Sequence, residues 1–149
     1  MIKYFFKLEY AKFYGIDKID NEKIEERQVI GLFSSKKLAE ETLEFCLSYR
    51  DVEEKDFITS RVKVTLDKPI KILYLPFHEY SIKEPNGEYV DYYYVFQPKA
   101  TKKEANELCN LLKNKKKYSK HACRDYSVYP PDGFGIENIE INKNYFKGI

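Results

Sequence analysis

Residue types that could do chemistry concentrate between Lys113 and Asp125. Cations are interleaved here with tyrosine and histidine: Lys113, Lys115, Lys116, Lys117, Lys120 and Arg124. Because lysines bind phosphate groups and aromatic rings stack on bases, the pattern predicts binding of nucleic acid or another phosphate-rich ligand. A solvated segment after a helix has the same composition, since lysines also favour the negative end of the helix dipole.

His121, Cys123 and Asp125 alternate in the same stretch and would share one face of an extended segment. Such a set suggests a cysteine nucleophile with a histidine base. Nucleophilic sites draw these groups from separate segments and add an oxyanion pocket, for which the sequence has no motif. His78, beside Glu79, is predicted to be a structural histidine rather than a metal ligand. The sequence therefore predicts no enzyme, no metal site and no cofactor.

A run of tyrosines predicts a strand with two apolar faces. Alternation sends Tyr89 and Tyr93 to one side and Tyr92 and Tyr94 to the other. A central strand covered on both faces has this pattern. A strand on a protein-binding surface also has it, because tyrosine is frequent there. The predicted protein-binding residues are Tyr89, Tyr92, Tyr93 and Tyr94.

Two helices must position these segments. The first is predicted to begin at Ser34 or Ser35, whose hydroxyl accepts a hydrogen bond from a first-turn amide. The second follows Thr101, which forms a capping box with Glu104. The predicted apolar stripes are Leu38, Ala39, Thr42, Leu43 and Cys46 in the first helix, and Ala105, Leu108, Cys109 and Leu112 in the second. Cys46 and Cys109 are thus predicted core residues.

Strands are predicted on both sides of each helix. The N-terminal portion has strands at 2–10, 28–33 and 57–66, with a polar connection at 11–27. The C-terminal portion has strands at 70–80, 88–96 and 134–141, with Asn86-Gly87 as a hairpin turn. Because Pro76 cannot donate a hydrogen bond, its strand is predicted to lie at an edge or a bulge. The apolar tail at 142–149 is predicted to dock.

The two portions repeat one pattern. Aligning Ser35 with Thr101 places Ala39 on Ala105. The same alignment places Val29-Ile30 on Val95-Phe96, while the flanking pairs Ile2-Lys3 and Glu9-Tyr10 match Ile70-Lys71 and Glu79-Tyr80. Matches in one order favour duplication. The predicted fold class is α+β: two tandem ββαβ units at 1–68 and 69–149, mainly antiparallel, with one helix each and a pseudo-twofold axis.

Short segments around these elements resemble a known kind of domain. They are Gly31-Leu32-Phe33-Ser34-Ser35, Pro131-Asp132-Gly133-Phe134 and Ile139-Glu140-Ile141-Asn142-Lys143. Together they resemble a family of small uncharacterised domains of bacteria and their phages, each with a hairpin, one helix and a closing strand. The second copy departs from it with Gln97-Pro98-Lys99-Ala100 in place of Gly-Leu-Phe-Ser. The resemblance implies no activity and no catalytic residues.

The composition of the chain limits the classes of protein to which it can belong. The 149 residues, with 43% hydrophobic residues and a net charge of +2, are typical of a folded chain without general attraction to nucleic acid. Three cysteines without a Cys-x-x-Cys pair argue against a disulfide framework or a structural zinc. No apolar run has bilayer length, and charges at Lys3, Lys7 and Glu9 interrupt any signal peptide. A cytoplasmic protein without membrane contact is predicted.

These observations predict a non-catalytic binding protein that acts through protein–protein contacts. Its partner is another protein or a second copy of the chain. An inhibitor encoded by a phage or mobile element, of anti-defence or immunity type, is consistent with the resemblance. The alternative function is binding of nucleic acid or a phosphate-rich ligand through residues 113–124. No motif identifies the target.

Overall fold

Hairpins, helices and closing strands follow one another along the chain. The computed structural model describes residues 1–16, 23–83, 85–119 and 132–148. Its strands are β1 (Ile2–Ile16), β2 (Lys23–Phe33), β3 (Phe57–Thr65), β4 (Ile72–Lys83), β5 (Tyr89–Val95) and β6 (Phe134–Glu140). Its α-helices are α1 (Lys36–Cys46), α2 (Lys102–Lys113) and the single turn α3 (Lys116–Ser119). A 3-10 turn at Glu54–Asp56 precedes β3.

The strands form two three-stranded antiparallel sheets, which confirms the predicted α+β class. The first sheet has the order β2-β1-β3 and the second has the order β5-β4-β6. In both, the first strand along the chain is central and the strand after the helix pairs with it. These central strands therefore determine where every other element of each sheet lies.

Pro76 lies in the central strand β4, so the predicted edge position was wrong. The carbonyl of Pro76 accepts a hydrogen bond from the amide of Phe96 at 2.9 Å. In an antiparallel ladder the N–H and C=O of one residue point to the same side. The position without an N–H at Pro76 therefore faces Phe96, just beyond the end of β5 at Val95. No hydrogen bond within the β4–β5 ladder is lost.

The two sheets pack face to face, with one helix on each outer face. A shared core lies between them: Phe5, Leu32, Val62, Val64 and Leu66 from the first half and Leu73, Leu75 and Ile139 from the second. Alternate residues of β1, such as Leu8, point the other way and pack with α1, and Phe134 of β6 packs with α2 in the same manner. The order of layers is helix, sheet, sheet, helix.

Both helices begin at their predicted caps. The hydroxyl of Ser35 accepts a hydrogen bond from the Leu38 amide at 3.2 Å. The Thr101 hydroxyl accepts from the Glu104 amide at 3.2 Å and donates to the Glu104 carboxylate at 3.0 Å. The reciprocal bond of the capping box thus runs between the two side chains.

The predicted helix stripes are confirmed only in part. Cys46 and Cys109 are buried as predicted, and burial raises the pKa of the Cys46 thiol to about 11 and raises that of Cys109 as well. Both thiols are therefore protonated core groups at neutral pH. Leu38, in contrast, is 36% exposed, because α1 rests on the sheet through the small Ala39 and Cys46, two turns apart.

The C-terminal tail, residues 142–148, docks on the first half as predicted. The amides of Asn142 and Tyr145 donate to the carbonyls of Leu32 and Ile30 in β2, at 2.9 and 2.7 Å. The ring of Phe146 packs with those of Tyr10, Tyr49 and Phe57, with centroids 5.1–6.0 Å apart. The tail thereby covers the outer edge of β2, which would otherwise expose unpaired backbone groups.

The polar connection predicted at 11–27 was wrong over most of its length. β1 continues to Ile16, and β2 already begins at Lys23. β1 and β2 remain paired beyond the end of the three-stranded sheet, as far as Ile16 opposite Lys23. Backbone hydrogen bonds of this kind form regardless of side-chain polarity, which is why a polar composition here concealed two strand ends.

Candidate interaction site

A two-stranded arm extends from the first sheet. β3 accompanies β1 as far as Tyr10, which lies opposite Phe57. Beyond that point β1 pairs with β2 alone among the described strands. We call residues 11–16 and 23–27 the first arm. Six residues of strand extend about 20 Å at the usual rise per residue, so the arm continues well past the end of β3.

The first arm carries large apolar side chains at its surface. Phe13 is 54% exposed, and Tyr14 and Ile16 are each 57% exposed. The Tyr14 hydroxyl donates to a carboxylate oxygen of Glu26 at 3.1 Å, and the ammonium of Lys12 lies 5.5 Å from the centre of its ring. Partial desolvation and the bond to Glu26 raise the pKa of Tyr14. The arm thus orients an aromatic ring without covering it.

The second sheet has an arm of its own with the opposite character. Residues 79–83 and 89–93 form this second arm, because β6 accompanies β4 only to His78. The rings of Tyr80 and Tyr92 stack with centroids 4.9 Å apart and planes 13° apart. Both tyrosines and Ile82 are buried. The second arm therefore has two buried tyrosines where the first arm has exposed apolar side chains.

The predicted tyrosine surface is divided by the fold. Tyr89 is 48% exposed, whereas Tyr92 is buried in its stack with Tyr80. Tyr93 and Tyr94 are half-buried on opposite faces, Tyr93 against Phe77 with centroids 5.4 Å apart. Whether any of these four residues contacts a partner stays a prediction.

The predicted basic segment falls partly within α2 and α3. Lys113 forms an ion pair with Asp132 at 3.1 Å, and Lys117 lies 5.4 Å from the ring centre of Tyr94 and 5.7 Å from that of Tyr118. Lys115 is exposed, and Lys116 lies in α3. The remaining predicted residues lie outside the described residues: Lys120, His121, Cys123, Arg124 and Asp125.

His78 is fully buried among aromatic rings. Its centroid lies 4.3 Å from that of Phe134, 5.1 Å from that of Tyr118 and 5.4 Å from that of Tyr80. This packing agrees with a structural histidine. Among residues 1–16, 23–83, 85–119 and 132–148, no group of three His, Cys, Asp or Glu side chains is arranged to hold a metal ion.

A cleft of about 560 Å³ between the two sheets was not predicted from the sequence. One wall comes from β2 and the tail and the other comes from the second sheet. The lining residues are Arg27, Gln28, Val29, Tyr145 and Lys147 on the first wall, and Glu79, Tyr93, Glu137, Asn138 and Ile139 on the second. The signal was hidden because these residues come from five separate segments, and none is unusual in its own segment.

Comparisons of the chain with family models, with curated proteins and with solved structures gave no match. Function is therefore inferred from the geometry of the described residues. Within them, no helix is long and apolar enough to cross a bilayer.

Proposed function

We propose that this chain is a non-catalytic protein-binding module and that the first arm makes the contact. The observation that carries this proposal is the exposure of Phe13, Tyr14 and Ile16, each above one half, on a projecting hairpin. Large exposed apolar side chains that lie close together along one segment are typical of interaction surfaces on folded proteins. Aromatic residues dominate binding energy at such surfaces when a partner desolvates them.

The composition of the arm indicates the character of the partner surface. The stretch 11–27 has five acidic and four basic side chains, a net charge of −1. Because the charge is nearly balanced, the apolar residues rather than long-range attraction would hold the complex. A folded protein with an apolar pocket therefore fits the arm best.

An inhibitor encoded by a phage or mobile element is the role that we propose for such a module, and its cytoplasmic location is part of the proposal. Support comes from the sequence resemblance and from a mode of action that needs a surface rather than a reaction. We further propose that the two halves arose by duplication. Glu9 and Glu79 each lie seven residues after the start of a central strand, and Tyr10 and Tyr80 follow them.

Site-specific photocrosslinking tests the proposed function. A benzoylphenylalanine replaces Phe13 on the arm or, as a matched control, Leu111 on α2, which is 65% exposed. In extract from the native host we expect one discrete protein to crosslink at position 13 and not at position 111. Excess unlabelled chain should abolish the product, whereas excess F13S/I16S chain should not.

The proposal fails if position 13 yields no discrete product or the same products as position 111. A second copy of the chain is detected in the same experiment as a crosslinked dimer. Light scattering then decides whether F13S/I16S converts a dimer of the wild-type chain to a monomer. An unchanged dimer would place self-association elsewhere on the surface.

Binding of nucleic acid or a phosphate-rich ligand is a second candidate function. The exposed Lys117 beside the rings of Tyr94 and Tyr118 favours it, because cations next to aromatic rings suit both phosphate contact and base stacking. Titration of a labelled oligonucleotide across a salt series tests it. Affinity should fall steeply as salt rises, and K115Q/K117Q should reduce that slope. A salt-independent or absent signal would exclude this candidate.

A further inference from the structure

The cleft between the sheets has walls of opposite charge. Arg27 and Lys147 lie on the wall formed by β2 and the tail, and Glu79 and Glu137 lie on the wall formed by the second sheet. Each wall also contributes one tyrosine, one carboxamide and one branched aliphatic residue, as the lining residues show. The cleft is therefore a two-sided site of mixed polar and apolar lining with opposite charges on its walls.

The cationic wall is held in place from behind. Glu9 is 5% exposed and accepts ion-pair contacts from Arg27 and Lys7, each at 3.0 Å. A buried carboxylate keeps the long Arg27 side chain in one orientation, which removes much of the entropy that binding would otherwise lose. The side chain of Gln28 accepts from the Lys147 amide at 3.3 Å and donates to the Gly148 carbonyl at 2.8 Å. The tail is thereby attached to the wall it completes.

The anionic wall is built on paired strands. Glu79 of β4 lies directly opposite Tyr93 of β5, and Glu137 of β6 lies opposite Leu75 of β4. Residues directly opposite each other in an antiparallel pair share a face of the sheet. Both carboxylates therefore point toward the first sheet, and three hydrogen-bonded strands determine their positions.

We propose that this cleft binds a small dipolar molecule, an amino acid or a short peptide with free termini. Its carboxylate would contact the wall of Arg27 and Lys147, and its ammonium group would contact the wall of Glu79 and Glu137. A simple anion would meet the carboxylates unfavourably, and a simple cation would meet the two basic side chains unfavourably. A volume of about 560 Å³ lies within the range of ligand sites and admits a dipeptide.

Isothermal titration of the full chain with the dipeptide alanyl-leucine tests this inference. Two matched probes, N-acetyl-alanyl-leucine and alanyl-leucinamide, each lack one of the two charges. We expect the free dipeptide to bind. Each blocked form should have an affinity at least about tenfold lower, because each loses one charged hydrogen bond. Equal binding of the three probes, or no binding of the free dipeptide, overturns the proposal.

Two variants assign the ends of the ligand. Lys147→Gln should weaken binding of the free dipeptide and not that of alanyl-leucinamide. Glu137→Gln should weaken binding of the free dipeptide and not that of N-acetyl-alanyl-leucine. Lys143→Gln is the control, since Lys143 lies on the same tail but outside the cleft lining. If Lys147→Gln and Lys143→Gln behave alike, the assignment of the carboxylate end is wrong. Amide chemical shifts of both variants check that the fold is retained.

Discussion

The two arms share one hairpin geometry and treat their aromatic residues in opposite ways. The first arm leaves Phe13 and Tyr14 more than half exposed, and the second buries Tyr80 and Tyr92 in a stacked pair. Both arms extend from a central strand past the end of its third strand. Strand pairing alone therefore does not determine whether such an arm is part of the core or a surface for a partner.

The side chains next to the arms explain the difference. Tyr80 packs with Tyr92 and Tyr94 across the strand pair and with His78 at the base of the arm, so its ring is buried. Two-stranded hairpins are marginally stable unless an apolar face is covered. The contacts of Tyr80 and Tyr92 meet that requirement in the second arm, whereas the rings of Phe13 and Tyr14 in the first arm are more than half exposed.

The largest expected effect separates the arms directly. Tyr80→Ala should destabilise the fold by about 3–5 kcal/mol, because it removes a buried ring from a stack. Tyr14→Ala should change stability by less than about 0.5 kcal/mol, since its ring is exposed. Urea unfolding followed by circular dichroism measures both. Similar values for the two variants would remove the distinction between the arms.

The next effect concerns the tail that completes the first half. Phe146→Ala should destabilise the fold by about 2–3 kcal/mol, because the ring packs among Tyr10, Tyr49 and Phe57. The effect is smaller than for a fully buried ring because Phe146 is only partly buried. Phe45→Ala is the matched control, with a ring 57% exposed. Unfolding midpoints in urea give the comparison. A neutral Phe146→Ala would show that the tail does not support the first half.

Alkaline pH should affect the base of the first arm. Burial, and secondarily the charge of Glu26, raises the pKa of Tyr10 from 10.0 to about 12. Because the folded pKa exceeds the unfolded one, the neutral phenol stabilises the fold fully below pH 10, and that stabilisation disappears as the pH rises toward 12. Tyr10→Phe should match the wild-type chain at pH 7 and lose less stability over this window.

The Tyr10 hydroxyl has no hydrogen-bond partner among the described residues, so its removal leaves no other group unsatisfied. Unfolding at a series of pH values measures the effect, with Tyr89→Phe on the exposed side of the second arm as the control. Cys46, whose pKa is raised to about 11, also causes a loss of stability at alkaline pH, and both variants retain this loss because both keep the thiol. Identical alkaline profiles for Tyr10→Phe and the wild-type chain would contradict the prediction.

The smallest effect lies at the turn of the second arm. Gly87 has a φ of +87°, and a Cβ there would meet no atom within 4 Å. Gly87→Ala should therefore cost about 1 kcal/mol through backbone strain alone. Gly87→Asn should cost less, because asparagine tolerates this conformation. Thermal unfolding ranks the two variants, and the reverse order would show that the turn is not held in this conformation.

Local signals in the sequence predicted much of the fold. Ser35 and Thr101 mark the helix starts, because capping is a property of residues within one turn. The sequence alignment placed Val29-Ile30 on Val95-Phe96 and therefore matched Ile30 with Phe96. In the sheets Phe33 lies opposite Phe6 and Phe96 lies opposite Pro76, and Phe6 and Pro76 each precede the Glu-Tyr pair of a central strand by three residues. Phe33, rather than Ile30, therefore has the position that corresponds to Phe96. Register depends on partners distant in the sequence, so the alignment of the helices did not transfer to the strands before them.

The candidate sites were harder to predict for the same reason. Phe13 and Ile16 lay in a stretch interpreted as a polar connection, because the strand pairing that aligns them depends on residues 23–27. The two walls of the cleft contain residues as distant as Arg27 and Lys147. Neither surface has a sequence motif.

The sequence alone determined where α1 and α2 begin, where the central part of each strand lies and that Cys46 and Cys109 are core residues, because periodicity and capping act over a few residues. The tertiary structure decided which aromatic residues are covered, where Pro76 is tolerated and that two charged walls face each other across a cleft. Those outcomes depend on contacts between distant segments, for which a single sequence has no local signal.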